Sequence, residues 1–191
     1  VNFRVQPSTG VTSGTSLTIL WDDSNIGNNA ITTDWDDRMI VTNHATGAIL
    51  AALTVHAEAS TALPLAAGGS RPQQQTFVLP DGVAGVGQFD FSLTSDINSA
   101  VFEYNAGGTA ETNNTATTSV TTTLAPYAEL QTKNLAVAPT TLHSGTLTTI
   151  SWTDTNAGNL ATGRFGQGGS AAGLLGAYYA NPTLSGTPIA R

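Results

Sequence analysis

Apolar and polar residues alternate over short stretches of the chain, with the period of two that a half-buried strand requires. Phe3 and Val5 alternate with Arg4 and Gln6. Leu17, Ile19 and Trp21 form one face of a second strand. Met39 and Val41 mark a third, and Ile49, Ala51, Leu53 and Val55 a fourth. Phe77 and Leu79 mark a fifth, Phe89, Phe91 and Leu93 a sixth, and Val120, Thr122 and Leu124 a seventh. Between them SNIGNN, ATG, AAGGSRPQ, PDG and NAGG carry the residues that reverse a chain. No stretch sustains an apolar 3.6 period, apart from one short helical turn expected around DINSAVFEY. Residues 1–125 are therefore predicted to form an all-β, immunoglobulin-like seven-stranded β-sandwich. Its expected core is Phe3, Val5, Leu17, Ile19, Trp21, Val41, Leu53, Val55, Phe89, Phe91 and Leu93. Parity puts Trp21 in that core. Trp35, at a strand edge among aspartates, is left open as a stacking surface for sugars.

The pattern repeats. LTILWDDSNIGN at 17–28 returns as TTISWTDTNAGN at 148–159. Asn2, Val5, Pro7 and Thr9 match Asn134, Val137, Pro139 and Thr141. After a one-residue slip in a turn-rich stretch, Gly14, Thr15, Ile19, Trp21, Asp23, Asn25, Gly27 and Asn28 match Gly145, Thr146, Ile150, Trp152, Asp154, Asn156, Gly158 and Asn159. Residues 126–159 are thus expected to be a linker and the first two strands of a partial second copy. Residues 160–172 form a Gly/Ser-rich linker. The second copy has residues ahead of Asn134 that the first lacks ahead of Asn2, so the chain reads as cut from a longer tandem array. A lone pair of strands is marginal in water, so strand exchange with a neighbouring protomer, or further chain, is expected to complete it.

Composition removes several classes. Only 10 % of residues are charged and the net charge is −7. Six Lys and Arg, spread singly, cannot track a phosphate backbone. The apolar run at 48–53 is far short of a spanning helix. The absence of cysteine excludes disulfides and thiolate metal sites. An acidic surface rich in Thr, Gly and Asn, without cysteine, points to an extracellular or cell-surface protein of a prokaryote. Intramolecular Lys–Asn isopeptide staples are excluded from the first unit, because the only lysine is Lys133.

In order and spacing, SGTSLTILWDDSNIGN, WDDRMIV, LPDGVAGVGQFDFSLTSD, VFEYN and ETNNT resemble CARDB, the cell-adhesion-related domain found in bacteria. The resemblance covers residues 1–125 and again 128–159. It implies a seven-stranded sandwich used in tandem in large secreted or surface proteins, with no catalytic residues. GLLGAYYANPTLSGTPIAR, residues 173–191, resembles the opening strand of a protective-antigen-type lectin-like domain. The expected function is a structural or adhesive repeat module of a stalk, fibre or filament. The alternative is an accessory carbohydrate-binding region of a secreted enzyme. The partners expected are neighbouring copies or protomers, with a surface glycan or protein as ligand.

Acidic residues are the one candidate for site chemistry. Asp22 and Asp23 follow the second strand, and Asp34, Asp36 and Asp37 flank Trp35 at the start of the third. The loop after the sixth strand, at the same pole of a sandwich, carries Asp96, Glu103 and Glu111. Asp22, Asp23, Asp96 and Glu103 are the candidate ligands of a structural calcium ion, which accepts six to eight oxygens. The other reading, favoured by the residues, is no cofactor and an Asx-type turn in which Asn25 and Gly27 reverse the chain. Asp36 and Asp37 are adjacent on a strand and face opposite ways, so they cannot act together on one glycosidic bond. His44, His56 and His143 have no partner ligand at metal-site spacing. Asn113 sits in a sequon, read here as loop. No Gly-x-Ser-x-Gly elbow occurs, and no enzyme activity is expected.

Overall fold

The computed structural model describes residues 2–159. These residues divide into two units, the first ending at Ala125 and the second starting at Pro126.

The first unit contains β1 (Arg4–Gln6), β2 (Ser16–Ser24), β3 (Trp35–Asn43), β4 (Ile49–Ala57), β5 (Ser70–Val78), β6 (Gly87–Thr94) and β7 (Thr115–Thr122). They pair into two antiparallel sheets, ordered β1-β2-β5 and β4-β3-β6-β7. This is the all-β, immunoglobulin-like sandwich that the alternation predicts. Strict parity builds it: Leu17, Ile19, Trp21 and Asp23 point inward from β2, and Trp35, Asp37, Met39 and Val41 from β3. Phe89, Phe91 and Leu93 do so from β6. The two rows meet in one apolar core with Val5, Val11, Leu79 and Val120. Phe77 meets Phe91 edge-on, with ring centroids 6.1 Å apart. The chain also crosses between sheets, where Thr12 bridges Thr123 in parallel and the Ser13 amide donates to the Thr123 carbonyl at 2.8 Å.

Four expectations need correction. β5 begins at Ser70, inside the stretch AAGGSRPQ that reads as a turn. Pro72 is tolerated there because β5 is an edge strand, where one side of the backbone needs no ladder partner. Phe3, Leu53 and Val55 are only partly buried, packed against the core rather than in it. They precede or lie on edge strands, where one flank stays open. Leu124 falls beyond β7 and is exposed, whereas Val120 and Thr122 are buried. DINSAVFEY forms no helix; Asp96 and Ser99 adopt left-handed φ of 49° and break it. Short 3₁₀ turns occur instead at Gly82–Gly85 and Ala110–Thr112.

In the second unit β8 (Leu130–Ala138) pairs antiparallel with β9 (Thr149–Asn156). Its register, Ala136↔Ser151, Val137↔Ile150 and Ala138↔Thr149, matches Arg4↔Leu20, Val5↔Ile19 and Gln6↔Thr18 at the equivalent positions of the first unit. The preceding turn matches too. The Thr12 amide donates to Thr15 Oγ1 at 3.2 Å, and the His143 amide to Thr146 Oγ1 at 3.1 Å. Leu135, Val137 and Ile150 are exposed among the described residues. The linker expected at 160–172 and the lectin-like strand expected at 173–191 lie outside the described residues. No helix among the described residues is long and apolar enough to cross a membrane.

Candidate functional site

The inward rows of β2 and β3 both run off the apolar core into a carboxylate. Both strands carry the triplet Trp-Asp-Asp, as Trp21-Asp22-Asp23 and Trp35-Asp36-Asp37. In each, parity buries the first and third residues and turns the second outward. Asp23 is 5 % exposed and Asp37 is 1 % exposed. Asp23 belongs to the three-stranded sheet and Asp37 to the four-stranded one, so their carboxyl groups meet between the sheets.

The donors around them are few. The Trp21 indole Nε1–H donates to Asp37 Oδ2 at 2.9 Å. The Asp96 amide donates to Asp37 Oδ1 at 3.3 Å. Gln73 Nε2, on β5, donates to Asp23 Oδ2 at 3.0 Å. Asp23 Oδ1 is buried and receives no donor. Burial, and next the charge of Asp37 against it, pushes the Asp23 carboxyl up to about 7, although the Gln73 and Trp21 donors pull the other way.

The remaining expected ligands are placed as follows. Asp22 lies on the outward face of β2, away from Asp23. Asp96 is buried, but it folds its own loop: Oδ1 accepts from the Ala100 amide at 2.8 Å and Oδ2 from the Val101 amide at 2.9 Å. Glu103 shares this loop region. Burial raises its carboxyl, Asn114 lowers it by a hydrogen bond, and Glu111 and Asp96 raise it by their charges. The pole thus gathers Asp23 and Asp96 through Asp37, with Glu103 near Asp96, and leaves Asp22 out. No group of three or more His, Asp or Glu side chains among the described residues is arranged to hold a metal ion.

The Asx turn is present in both copies. Asn25 Oδ1 accepts from the Gly27 amide at 3.0 Å, and Asn156 Oδ1 from the Gly158 amide at 3.0 Å. Asn25 Nδ2 also donates to the carbonyls of Asn29 at 2.7 Å and Leu65 at 3.0 Å, tying the loop down.

Trp35 is not a surface platform. It is 5 % exposed and packs with Ala57, Ala59 and Leu65 in a second small core. Its parity with Asp37, Met39 and Val41 carried that information. The exposed aromatics of the first unit are Phe102 and Tyr104, in the loop that Asp96 organises. At the strand surface His56 Nδ1 meets Asp36 Oδ1 at 2.7 Å, and its ring is held above its usual range by that bond. His44 Nδ1 meets Asp90 Oδ2 at 2.6 Å, and the bond lowers the Asp90 carboxyl.

No protein-family model matches the chain, and no curated protein matches it. Its structural neighbours include CARDB domains. The crystal structure of the CARDB domain of the PF1109 protein from Pyrococcus furiosus, in complex with di-metal ions, is 18 % identical. That match covers 60 % of this chain and 84 % of that one, at a TM-score of 0.43. The solution structure of the same domain is 16 % identical over 60 % of this chain and 86 % of that one, at 0.40. The solution structure of GmR58A from Geobacter metallireducens is 15 % identical over 64 % and 92 %, also at 0.40.

Proposed function

We propose that the chain is a non-enzymatic structural or adhesive repeat module of a large extracellular or cell-surface protein. The observation that carries this reading is the internal repeat. The stretches that begin the two units share residue pattern, strand register, entry turn and Asx bond. A sandwich whose opening strand pair recurs further along the chain suits a stalk or fibre, where each unit contacts only its neighbours. The exposed Leu135, Val137 and Ile150 on the β8–β9 pair suit completion by further chain or by a neighbouring protomer's strands.

The accessory carbohydrate-binding alternative needs an exposed aromatic platform. Trp21 and Trp35 are both buried, which leaves Phe102 and Tyr104 as the exposed aromatics among the described residues of the first unit. Two experiments test the reading. The complete reading frame is expected to hold further copies of the module; a hydrolase domain without further copies would favour the alternative. A glycan array with the 191-residue chain is expected to be blank. Binding that disappears in Phe102→Ala or Tyr104→Ala would overturn the structural reading.

A further inference from the structure

We propose that Asp23 and Asp37 share one proton between their carboxyl groups in the folded first unit, and that this proton bridges the two sheets. The geometry leaves a single place for it. Three of the four carboxylate oxygens are supplied: Asp37 Oδ2 by Trp21, Asp37 Oδ1 by Asp96 and Asp23 Oδ2 by Gln73. The fourth, Asp23 Oδ1, is buried without a donor. An ionised oxygen left so costs its full desolvation. A proton there supplies the missing hydrogen bond and removes one of two like charges.

Among the described residues, the surroundings provide no other neutralisation. On β5 the one cation near the pair is Arg71, opposite Asp23 in register. Its guanidinium donates instead to the Glu58 carbonyl just beyond β4. On β4 the residue opposite Asp37 is Val55. The loop after β6 brings Asp96, a further negative charge whose oxygens are taken by backbone amides. Asp22 on β2 faces outward, and His56 on β4 sits with Asp36 on the outer face. The pair is therefore buried among neutral or acidic groups, and a proton is what fits.

The consequence is a pH dependence of unusual sign. The Asp23 carboxyl has an ordinary value of 3.8 and a folded value of about 7. Between these limits the folded unit holds a proton that the unfolded chain has released. Stability contributed by this proton is complete below the lower limit and lost as pH rises through the upper one. The unit is thus more stable in mild acid than in mild alkali. When the proton leaves, two carboxylates repel across the sheets, and Asp37 also holds the Asp96 amide that starts the 96–114 loop.

The test is thermal melting of the 191-residue chain by far-UV circular dichroism at about pH 5 and about pH 8. Wild type is expected to melt about 5 °C or more lower at the higher pH. Asp23→Asn mimics the protonated acid: its amide donates toward Asp37 while its oxygen accepts from Gln73. It is expected to lose most of that drop. Wild type equally stable at both values, or Asp23→Asn with an undiminished drop, would overturn the proposal. A direct readout covers failure of the variant to fold. The Asp23 side-chain carboxyl carbon, followed by NMR in wild type, is expected to titrate near neutrality; a midpoint below about 5 would overturn it. Calcium chloride that abolishes the drop in wild type would show a cation in the proton's place, and would also overturn it.

Discussion

Trp21→Phe isolates one bond that ties the two sheets together. Trp21 is 1 % exposed, and its indole N–H reaches Asp37 across the core at 2.9 Å. Phenylalanine keeps an aromatic ring in the row but removes that donor. A hydrogen bond to a charged acceptor is worth about 1.5–3 kcal/mol, and here its loss leaves Asp37 Oδ2 buried without a partner. The smaller ring also gives up the packing of roughly one methylene equivalent, about 0.8 kcal/mol. The sum is a destabilisation of about 2.3–3.8 kcal/mol. Urea unfolding of the full chain, followed by far-UV circular dichroism, measures it as a fall in the transition midpoint at unchanged slope. Trp152→Phe is the control. Its indole meets Asp154 on its own strand at a longer 3.3 Å and in an exposed setting, so that variant should stay within about 0.5 kcal/mol. A Trp21→Phe loss below about 1 kcal/mol would refute the bond as a sheet tie. So would full additivity with Asp37→Asn, because residues that share a bond couple by about 0.5–3 kcal/mol.

Three further outcomes are expected. Gly85→Ala should destabilise by about 2–3 kcal/mol in the same unfolding assay, because a Cβ there would stand 1.8 Å from the Pro80 carbonyl oxygen and 2.8 Å from Ser13 Cβ. Asp96→Ala should open the 96–114 loop to limited proteolysis while the strands stay resistant, because both of its oxygens cap that loop's amides; an unchanged cleavage pattern would show that the caps are dispensable. Melting temperatures in excess EDTA and in millimolar calcium should coincide, because Asp22 faces away and both Asp96 oxygens are occupied. A rise with calcium would restore the four-carboxylate ion site, since a ligand at 100 times its Kd adds about 2.7 kcal/mol.

Much of the fold was legible because strand parity is local. Leu17, Ile19 and Trp21 on one side, and Phe89, Phe91 and Leu93 on another, declare both the strand and its buried face. Parity also carried Asp23 and Trp35 inward, but polar chemistry argued against it. An aspartate at a strand end looks like a loop ligand, and a tryptophan between aspartates looks like a surface. What overrode both is non-local: the neighbouring strand β5 brings Gln73 to Asp23, the facing sheet brings Asp37 and the Asp96 amide, and Ala57, Ala59 and Leu65 close over Trp35. β5 was harder for a related reason. Its run SRPQQQTFV has few apolar residues to show a period, and pairing along all of β2 holds it in register. The pairing of Asp23 with Asp37 could have been sought in the duplicated Trp-Asp-Asp triplet, because equal parity on two facing strands points both third residues inward.

The two units separate what a strand pair encodes from what its partner sheet supplies. Register, entry turn and Asx turn recur at equivalent positions, although the second pair is largely exposed. Those features are therefore written locally in the residues of the stretch. The tryptophan's partner is not. In the first unit the Trp21 indole reaches Asp37 on the opposite sheet at 2.9 Å, and acts on Asp23 of its own strand only as the weakest influence on that carboxyl. Trp152, with no facing strand among the described residues, turns to Asp154, the equivalent of Asp23. An indole N–H has one proton to give. When the facing carboxylate takes it at close range, the aspartate two residues on keeps only a small share of that donor and leans on Gln73. Closing the sandwich thus buries the Asp23 oxygen that a shared proton would satisfy, whereas the equivalent Asp154 stays exposed on the strand pair and has no such need.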